Sequence, residues 1–288
     1  MVSDTKSELG EEDLDAALVL LPGSEISRTG ISQMAEISHF DPFIIENKLK
    51  IKLPHVLCPV NSGKIMGAAG DRLESAGISF MVVKKKMLGL RFSPFAVSFC
   101  EFGKKQSRFY NKAHDSIEIY NEENILLIQG CYQTAGAEPA CVTDNQEPEK
   151  DRKKIRTVSS QDLKTFWFVM LYQVMDMNPL IFIDRAMDYS ALESLKKMTV
   201  TANFKYLRNQ LETTFSRKSD PAMLKHGYVL EQNKELTEMK TKKLSLRRDA
   251  AIVTTAISNE NAANRMSRLM FFQWCKENGW VDRIMPAV

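Results

Sequence analysis

Short apolar runs and helical spacings alternate along the first third of the chain. The run Ala16–Leu21 is closed by Pro22-Gly23, which is typical of a buried strand. Apolar residues then recur every three or four positions over 26–38, which predicts a helix. Asp41-Pro42 is a capping residue followed by proline, and it predicts the start of a second helix. The residues of this second helix expected to be buried are Phe43, Ile44, Leu49 and Leu53.

The same alternation continues beyond Pro54. Apolar residues at 55–58 predict a short strand, and Ser62 can cap a third helix that Gly77 ends. The run Ile78–Val83 predicts a last strand before three lysines. The order over residues 14–88 is therefore β-α-α-β-α-β.

This segment resembles the C-terminal domain of the bacterial ribosomal stalk protein and, more distantly, the Clp protease adaptor. The resemblance is carried by the helix pair meeting at His39-Phe40-Asp41, by Leu53-Pro54, and by the helix end and strand start in Asp71–Ile78. It implies the same small α/β fold. The chain lacks the Ala- and Lys-rich first helix that receives translation factors in the stalk protein. The resemblance therefore implies a fold rather than factor binding.

The middle of the chain predicts a mostly antiparallel β domain. Strand patterns separated by short polar turns, which predict a meander, lie at 95–102, 108–110, 116–120 and 125–132. Two further runs, Phe166–Val174 and Leu180–Ile183, predict a hairpin that completes the same sheet. The apolar stripe of Thr201–Phe215 predicts a helix that closes the domain. By analogy alone, this architecture is pleckstrin-homology-like.

Two segments differ from these regular patterns. Residues 134–161 are rich in charge and proline and predict a mobile loop. From Val229 to Ile257 mostly apolar residues fall at alternating steps of three and four, which predicts a long helix with a coiled-coil-like seam. Self-association through 229–257 is one way to cover such a seam, and packing against the rest of the chain is the other. Ser258 is predicted to cap a last helix that ends near Gly279.

The predicted fold class is therefore α+β, with a β-rich domain after the small α/β domain and a helical region at the C-terminal end. The predicted divisions are a flexible tail 1–13, an α/β domain 14–88, a β domain 89–219 and a helical tail 220–288.

Composition narrows the function classes only a little. The formal net charge of +3 and the pI of about 8.5 are mild for a dedicated nucleic-acid domain. Five cysteines without a C-x-x-C pair favour reduced thiols and a cytoplasmic location, with Cys141 placed in the polar linker. No signal sequence and no run long enough to span a membrane is present.

Catalytic and cofactor motifs are weak. The segment 59–65 differs from a phosphate loop because Pro59 stands in place of glycine and Ile65 in place of Ser or Thr. The four histidines lie apart, so neither a metal site nor a cofactor is predicted and no catalytic residue is assigned.

Residues 184–190 follow an apolar strand, where catalytic loops often lie. An enzyme site there is kept as an alternative to a solvated turn.

The leading interpretation is a non-enzymatic intracellular protein that binds protein partners as a scaffold or regulator. An alternative is a nucleic-acid-binding regulator that uses a basic helix. The basic residues of that predicted helix are Lys240, Lys242, Lys243, Arg247 and Arg248.

Overall fold

A computed structural model describes thirteen stretches of the chain: residues 14–22, 27–50, 53–64, 70–88, 93–136, 140–143, 163–174, 176–215, 219–221, 223, 238–247, 250–258 and 260–280. Two compact units are present. Unit 1 contains Met1–Ser93 and Arg268–Val288, and unit 2 contains Pro94–Ser267. The predicted α+β class is confirmed by this mixture of helices and mostly antiparallel sheets.

Unit 1 has the predicted order of strands and helices. Its elements are β1 (Ala16–Leu20), α1 (Arg28–Ser38), α2 (Pro42–Leu49), β2 (His55–Val60), α3 (Ser62–Lys64), α4 (Gly70–Ser75), β3 (Phe80–Lys84) and α5 (Lys85–Leu88). The three strands form an antiparallel sheet in the order β2-β1-β3, so β1 is central. Helices α3 and α4 are the described parts of the predicted third helix.

The helices of unit 1 lie close to the predicted positions, but α1 begins at Arg28 rather than at 26, and α2 ends at Leu49 although the sequence predicts Leu53 as part of that helix. Ser27 caps α1 by accepting a hydrogen bond from the Gly30 N–H at 3.1 Å. After α4, Gly77 has a φ of +76°, which glycine adopts without steric cost. The Ile78 N–H then donates to the Leu73 carbonyl at 3.0 Å, as in a Schellman motif, and the chain enters β3.

The central strand β1 is buried on both faces. One face of the sheet packs in an apolar cluster with helices α1, α2 and α4, which contribute Met34, Ile45 and Leu73. The opposite face carries Ala17 and Val19, which are equally buried but lie outside that cluster. The cluster formed with these helices therefore covers only one face of β1.

The far end of the chain belongs to the same unit. Helix α7 (Glu260–Glu277) enters unit 1 at Arg268, whose guanidinium lies 3.5 Å from the Met87 carbonyl oxygen. Near its other end the Lys276 ammonium donates to the Phe80 carbonyl of β3 and lies 5.5 Å from the centre of the Phe80 ring. The buried side chains of α7 in this unit are Leu269, Met270, Phe271, Phe272, Trp274 and Cys275.

In its described residues, unit 2 forms two sheets, with an α-helix packed against them. Its elements are β4 (Phe95–Val97), β5 (Phe99–Phe102), β6 (Gln106–Tyr110), β7 (Ser116–Tyr120), β8 (Ile125–Gly136), β9 (Ala140–Thr143), β10 (Leu163–Gln173), β11 (Asp176–Ile183), a 3₁₀-helix (Ser190–Leu195), α6 (Val200–Thr214), β12 (Ser219–Asp220), β13 (Glu238–Arg247) and β14 (Ala250–Ser258). Strands β5-β6-β7 form one sheet, and β13-β14-β8-β10-β11-β4 form the spine of the other.

The core of unit 2 lies where both sheets meet α6. Phe109 from β6 and Phe182 from β11 have ring centres 5.4 Å apart, and Phe215 lies 6.1 Å from Phe109. The predicted apolar stripe of α6 is confirmed, since Phe204, Leu207, Leu211 and Phe215 all belong to this cluster. The predicted four-strand meander is wrong at both ends, because β4, β8 and the hairpin β10–β11 belong to the other sheet. The described strands thus form two sheets rather than the barrel expected from the pleckstrin-homology analogy.

The long helix predicted over 229–257 is wrong where the structure describes it. Residues 238–247 and 250–258 are the antiparallel strands β13 and β14. The β-branched residues Ile252, Val253, Thr254 and Thr255 favour a strand, and this preference outweighs the spacing of apolar positions. A helical seam for self-association therefore has no basis over 238–258, and residues 229–237 lie outside the described stretches. The last predicted helix is confirmed as α7.

The predicted loop 134–161 is also shorter than expected. Strand β8 continues to Gly136, and β9 pairs with β14 over residues 140–143, so Cys141 lies in a strand rather than in a linker. The remainder of that segment, 137–139 and 144–161, is outside the described residues.

The packing of unit 1 predicts a large effect of truncating Leu73, which is fully buried between α4 and the sheet. Leu73→Ala should lower the free energy of unfolding by about 2–5 kcal/mol, through lost burial and the cavity left behind. The exposed neighbour Glu74 offers a control, and Glu74→Ala should stay within about 0.5 kcal/mol of the wild type. Chemical denaturation of the full chain measures both, and equal stabilities for the two variants would contradict the packing.

Candidate interaction surface

Four of the five basic residues predicted as a binding site lie on a strand that, among the described strands, is at the edge of the large sheet. Lys240, Lys242, Lys243 and Arg247 belong to β13, which ends the order of the large sheet, and Arg248 is outside the described residues. The predicted basic helix is therefore wrong as a structure. Lysines are common on edge strands because they discourage pairing with another chain. Binding of nucleic acid by these residues stays a prediction.

The alternative site at 184–190 is a tightly bonded corner after β11. Asp184 is buried, and its Oδ1 atom accepts hydrogen bonds from the backbone N–H groups of Arg185 at 2.9 Å and Trp167 at 3.3 Å. The Tyr189 hydroxyl donates to the Asp184 carbonyl oxygen at 2.7 Å. Asp188 caps the 3₁₀-helix by accepting from the Ser190 N–H at 2.9 Å. The hydrogen bonds of Asp184, Asp188 and Tyr189 thus hold the turn.

Burial is the main cause of the pKa shifts at this corner. Desolvation raises the pKa of Asp184 although the two backbone N–H groups and Arg185 act in the opposite direction. Desolvation, followed by the charge of Asp184, also raises the pKa of Tyr189. A raised carboxyl pKa is a feature of many catalytic acids, but here it accompanies a buried structural cap.

The thiols are poor nucleophiles. Cys58, Cys100 and Cys275 are buried, and desolvation raises their pKa values to about 11, 12 and 12 respectively. Each is a neutral thiol at physiological pH, whereas a reactive cysteine needs its thiolate. Within the described stretches, no three His, Cys, Asp or Glu side chains are grouped as a metal site requires.

The segment compared with a phosphate loop is also occupied by a structural contact. The Asp15 carboxylate accepts hydrogen bonds from the Ser62 N–H at 2.7 Å and from the Ser62 hydroxyl at 2.5 Å. These bonds, the side-chain bond first, lower the pKa of Asp15. The N–H and hydroxyl of Ser62 at the start of α3 are thus bonded to an anion supplied by the chain itself.

A polar cavity of about 320 Å³ lies between the start of α1 and α4 in unit 1. Its lining includes Gln33, Asp71, Arg72 and Ser75. The Oε1 atom of Gln33 is buried and has no hydrogen-bond partner among the described residues. The volume is at the lower end of ligand pockets, and the lining carries both a carboxylate and a guanidinium. These features select no single ligand chemistry.

The most prominent apolar exposure in unit 1 lies at the turn between α1 and α2. Phe40, Phe43 and Ile44, called here the hairpin surface, are 36%, 67% and 42% exposed. The sequence predicted Phe43 and Ile44 to be buried, and that prediction is wrong. Helix α2 begins with three consecutive apolar residues, and of these Ile45 enters the core with full burial.

Hydrogen bonds fix the backbone that displays the hairpin surface. His39 ends α1 with a φ of +56°, and the buried Ser38 hydroxyl donates to the Met34 carbonyl at 2.7 Å. The Phe40 N–H donates to that same hydroxyl at 3.3 Å. The Asp41 carboxylate accepts from the Phe43 N–H at 2.8 Å and caps α2. The exposed rings therefore project from an ordered turn between two packed helices.

No protein family, curated protein or solved structure matches the chain. None of the described helices is long and apolar enough to cross a membrane. The resemblance of residues 14–88 to the ribosomal stalk domain stays a prediction. Function is therefore argued from the surfaces alone.

The corner at Asp184 predicts a pH-dependent stability that one substitution removes. Because the folded-state pKa of Asp184 is raised above its ordinary value of 3.8, the unfolded chain releases the proton first and stability falls as pH rises through this window. Asp184→Asn keeps the acceptor oxygen without the charge. It should match the wild type below pH 3.8 and become more stable than the wild type as pH rises through the folded-state pKa.

Urea denaturation from pH 3 to pH 7 checks this expectation. Asp184→Ala provides the contrast, since it leaves two partly buried N–H donors without their acceptor and should cost about 1 kcal/mol throughout the range. An Asn variant whose stability follows that of the wild type at every pH would contradict the assigned role.

Proposed function

We propose that the chain is a protein-binding module, and that the hairpin surface of unit 1 is where a protein partner docks. The observation that carries the proposal is the exposure of Phe43 and Ile44 on an ordered turn. Monomeric proteins expose single apolar residues routinely, but neighbouring exposed aromatic and aliphatic side chains more often mark an interaction site.

The composition of the surface suits a protein contact. Aromatic side chains are enriched among the residues that dominate binding energy, because they bury a large area while losing few rotatable bonds. Exposed charged residues stand near the rings in the sequence, at Glu36, Asp41 and Glu46. An apolar centre with a polar rim is the usual anatomy of a protein interface.

The order of the turn adds to the argument. A binding loop that is disordered before contact loses conformational entropy when it binds. Here the Asp41 cap and the Ser38 hydroxyl already hold Phe40 and Phe43 in place. Folding has thus already ordered the backbone of the turn. Less of the binding energy that the rings provide is then lost to ordering the turn when a partner binds.

Site-specific cross-linking tests the proposal directly. A photoreactive amino acid at position 43 of the full chain should capture a distinct protein in the native cell. The control is position 120, since Tyr120 is an exposed aromatic residue of unit 2 with 60% exposure. Capture of the same set of proteins from both positions, or of none from position 43, would reject the proposal.

The captured partner then allows a quantitative prediction. Phe43→Ala should weaken binding of the purified partner by about 2 kcal/mol, which is roughly 30-fold in Kd. Tyr120→Ala should leave Kd unchanged, and both variants should unfold at the wild-type temperature because both side chains are exposed. Titration calorimetry measures the affinities, and an unchanged Kd for the Phe43 variant would contradict the assignment.

A further inference from the structure

A second cluster of exposed apolar side chains lies in unit 2, between the 3₁₀-helix and α6. Leu195, Met198 and Val200 are 47%, 104% and 44% exposed. Lys196 and Lys197 stand between them in the sequence and are exposed as well. We call residues 195–200 the basic–apolar loop. The loop therefore carries exposed apolar side chains next to lysines, which makes it amphipathic.

Hydrogen bonds to a buried side chain hold this loop in place. The side chain of the buried Asn203 accepts a hydrogen bond from the Lys197 N–H at 2.5 Å and donates to the Lys197 carbonyl at 3.1 Å. The Thr199 hydroxyl caps α6 by accepting from the Ala202 N–H at 3.2 Å. Both backbone groups of Lys197 are thus bonded to a single core side chain. The exposure of Met198 is therefore a feature of an ordered loop.

The charge around the loop is positive. Residues 195–208 contain four basic residues, Lys196, Lys197, Lys205 and Arg208, and no acidic residue, while Asp188, Glu193 and Glu212 lie outside this stretch of the sequence. The first turn of α6 contains no acidic residue, so the partial positive charge of the helix start is not offset there. An anionic partner is favoured by both contributions.

The two lysines of the loop favour a membrane over a protein partner. Lysine is depleted in protein interfaces relative to the rest of the surface, whereas aromatic residues such as those of the hairpin surface are enriched there. An anionic bilayer suits both kinds of side chain. Apolar side chains enter the boundary between headgroups and acyl chains, while lysines stay among the phosphates and contribute about 1 kcal/mol each.

We propose that the basic–apolar loop binds the surface of an anionic phospholipid bilayer, with Met198 inserted at the interface and Lys196 and Lys197 against lipid phosphates. Such binding is peripheral and reversible, because one small apolar insertion is marginal without the electrostatic attraction. It is separate from the hairpin surface and does not depend on a protein partner.

Sedimentation of the full chain with lipid vesicles tests this. Vesicles of phosphatidylcholine alone are compared with vesicles containing about 30% phosphatidylserine, at low and at raised salt. The wild type should bind the anionic vesicles, bind the neutral ones far less, and be released by salt. Absence of preference for the anionic vesicles would overturn the proposal.

Variants locate the contact. Lys196→Ala with Lys197→Ala should reduce the partition coefficient about 25-fold, from roughly five-fold per lysine, and Met198→Ser should reduce it several-fold. The controls are Lys104→Ala with Lys105→Ala, which removes another exposed lysine pair of unit 2, and Tyr120→Ser. Control variants that lose binding as strongly as the loop variants would show general electrostatic adsorption and overturn the proposal. Competition by soluble glycerophosphoserine with no effect of Met198→Ser would overturn it also, since the ligand would then be a free headgroup.

Discussion

Burial of β1 on both faces is the constraint on which unit 1 depends. A central strand whose Leu18 and Val19 point to opposite sides, both with no exposed surface, needs a layer of side chains above and below it. Helices α1, α2 and α4 form one layer. The segment that begins at Arg268 also belongs to unit 1 and has the buried aromatic side chains Phe271 and Trp274, and we infer that it forms the other layer. The unit is thus assembled from the two ends of the chain, and its sheet depends on contacts that are distant in sequence.

The same constraint explains why an apolar surface is left at the turn. Helix α1 places Met34 in the core and α2 places Ile45 there, so the two helices are fixed by burial at the sheet. The eight residues of α2 allow few inward positions, and Phe43 and Ile44 remain outside. Helices α1 and α2 therefore pack against the sheet and also carry the hairpin surface at the turn between them. A sequence that needed only a stable sheet could carry polar residues at both exposed positions, which is why we assign them to binding.

Sequence patterns predicted the elements whose signals are local. The cap of α2, the glycine that ends α4 and the apolar stripe of α6 each depend on residues within a few positions, and the structure confirms them. The strands β13 and β14 were missed because their apolar spacing also fits a helical seam, and only the β-branched run at 252–255 opposed that interpretation. The exposure of Phe43 could not be predicted from the sequence. Hydropathy shows that exposing this side chain to water is unfavourable, but it carries no information on whether a binding partner covers the side chain. The role of α7 in unit 1 could not be predicted either, because periodicity identifies an apolar stripe but not the sheet that it covers.

The claim that the end of the chain completes the sheet of unit 1 is tested most directly by amide hydrogen exchange. Peptides covering β1 and β3 are followed by mass spectrometry in the full chain and in a chain ending at Ser258, with β6 of unit 2 as the internal reference. The account predicts that 16–20 and 80–84 are strongly protected in the full chain and lose most of that protection in the shortened chain, while 106–110 keeps more of its own. Equal protection of β1 in both chains would contradict it, because the second face of the sheet would then be covered without α7.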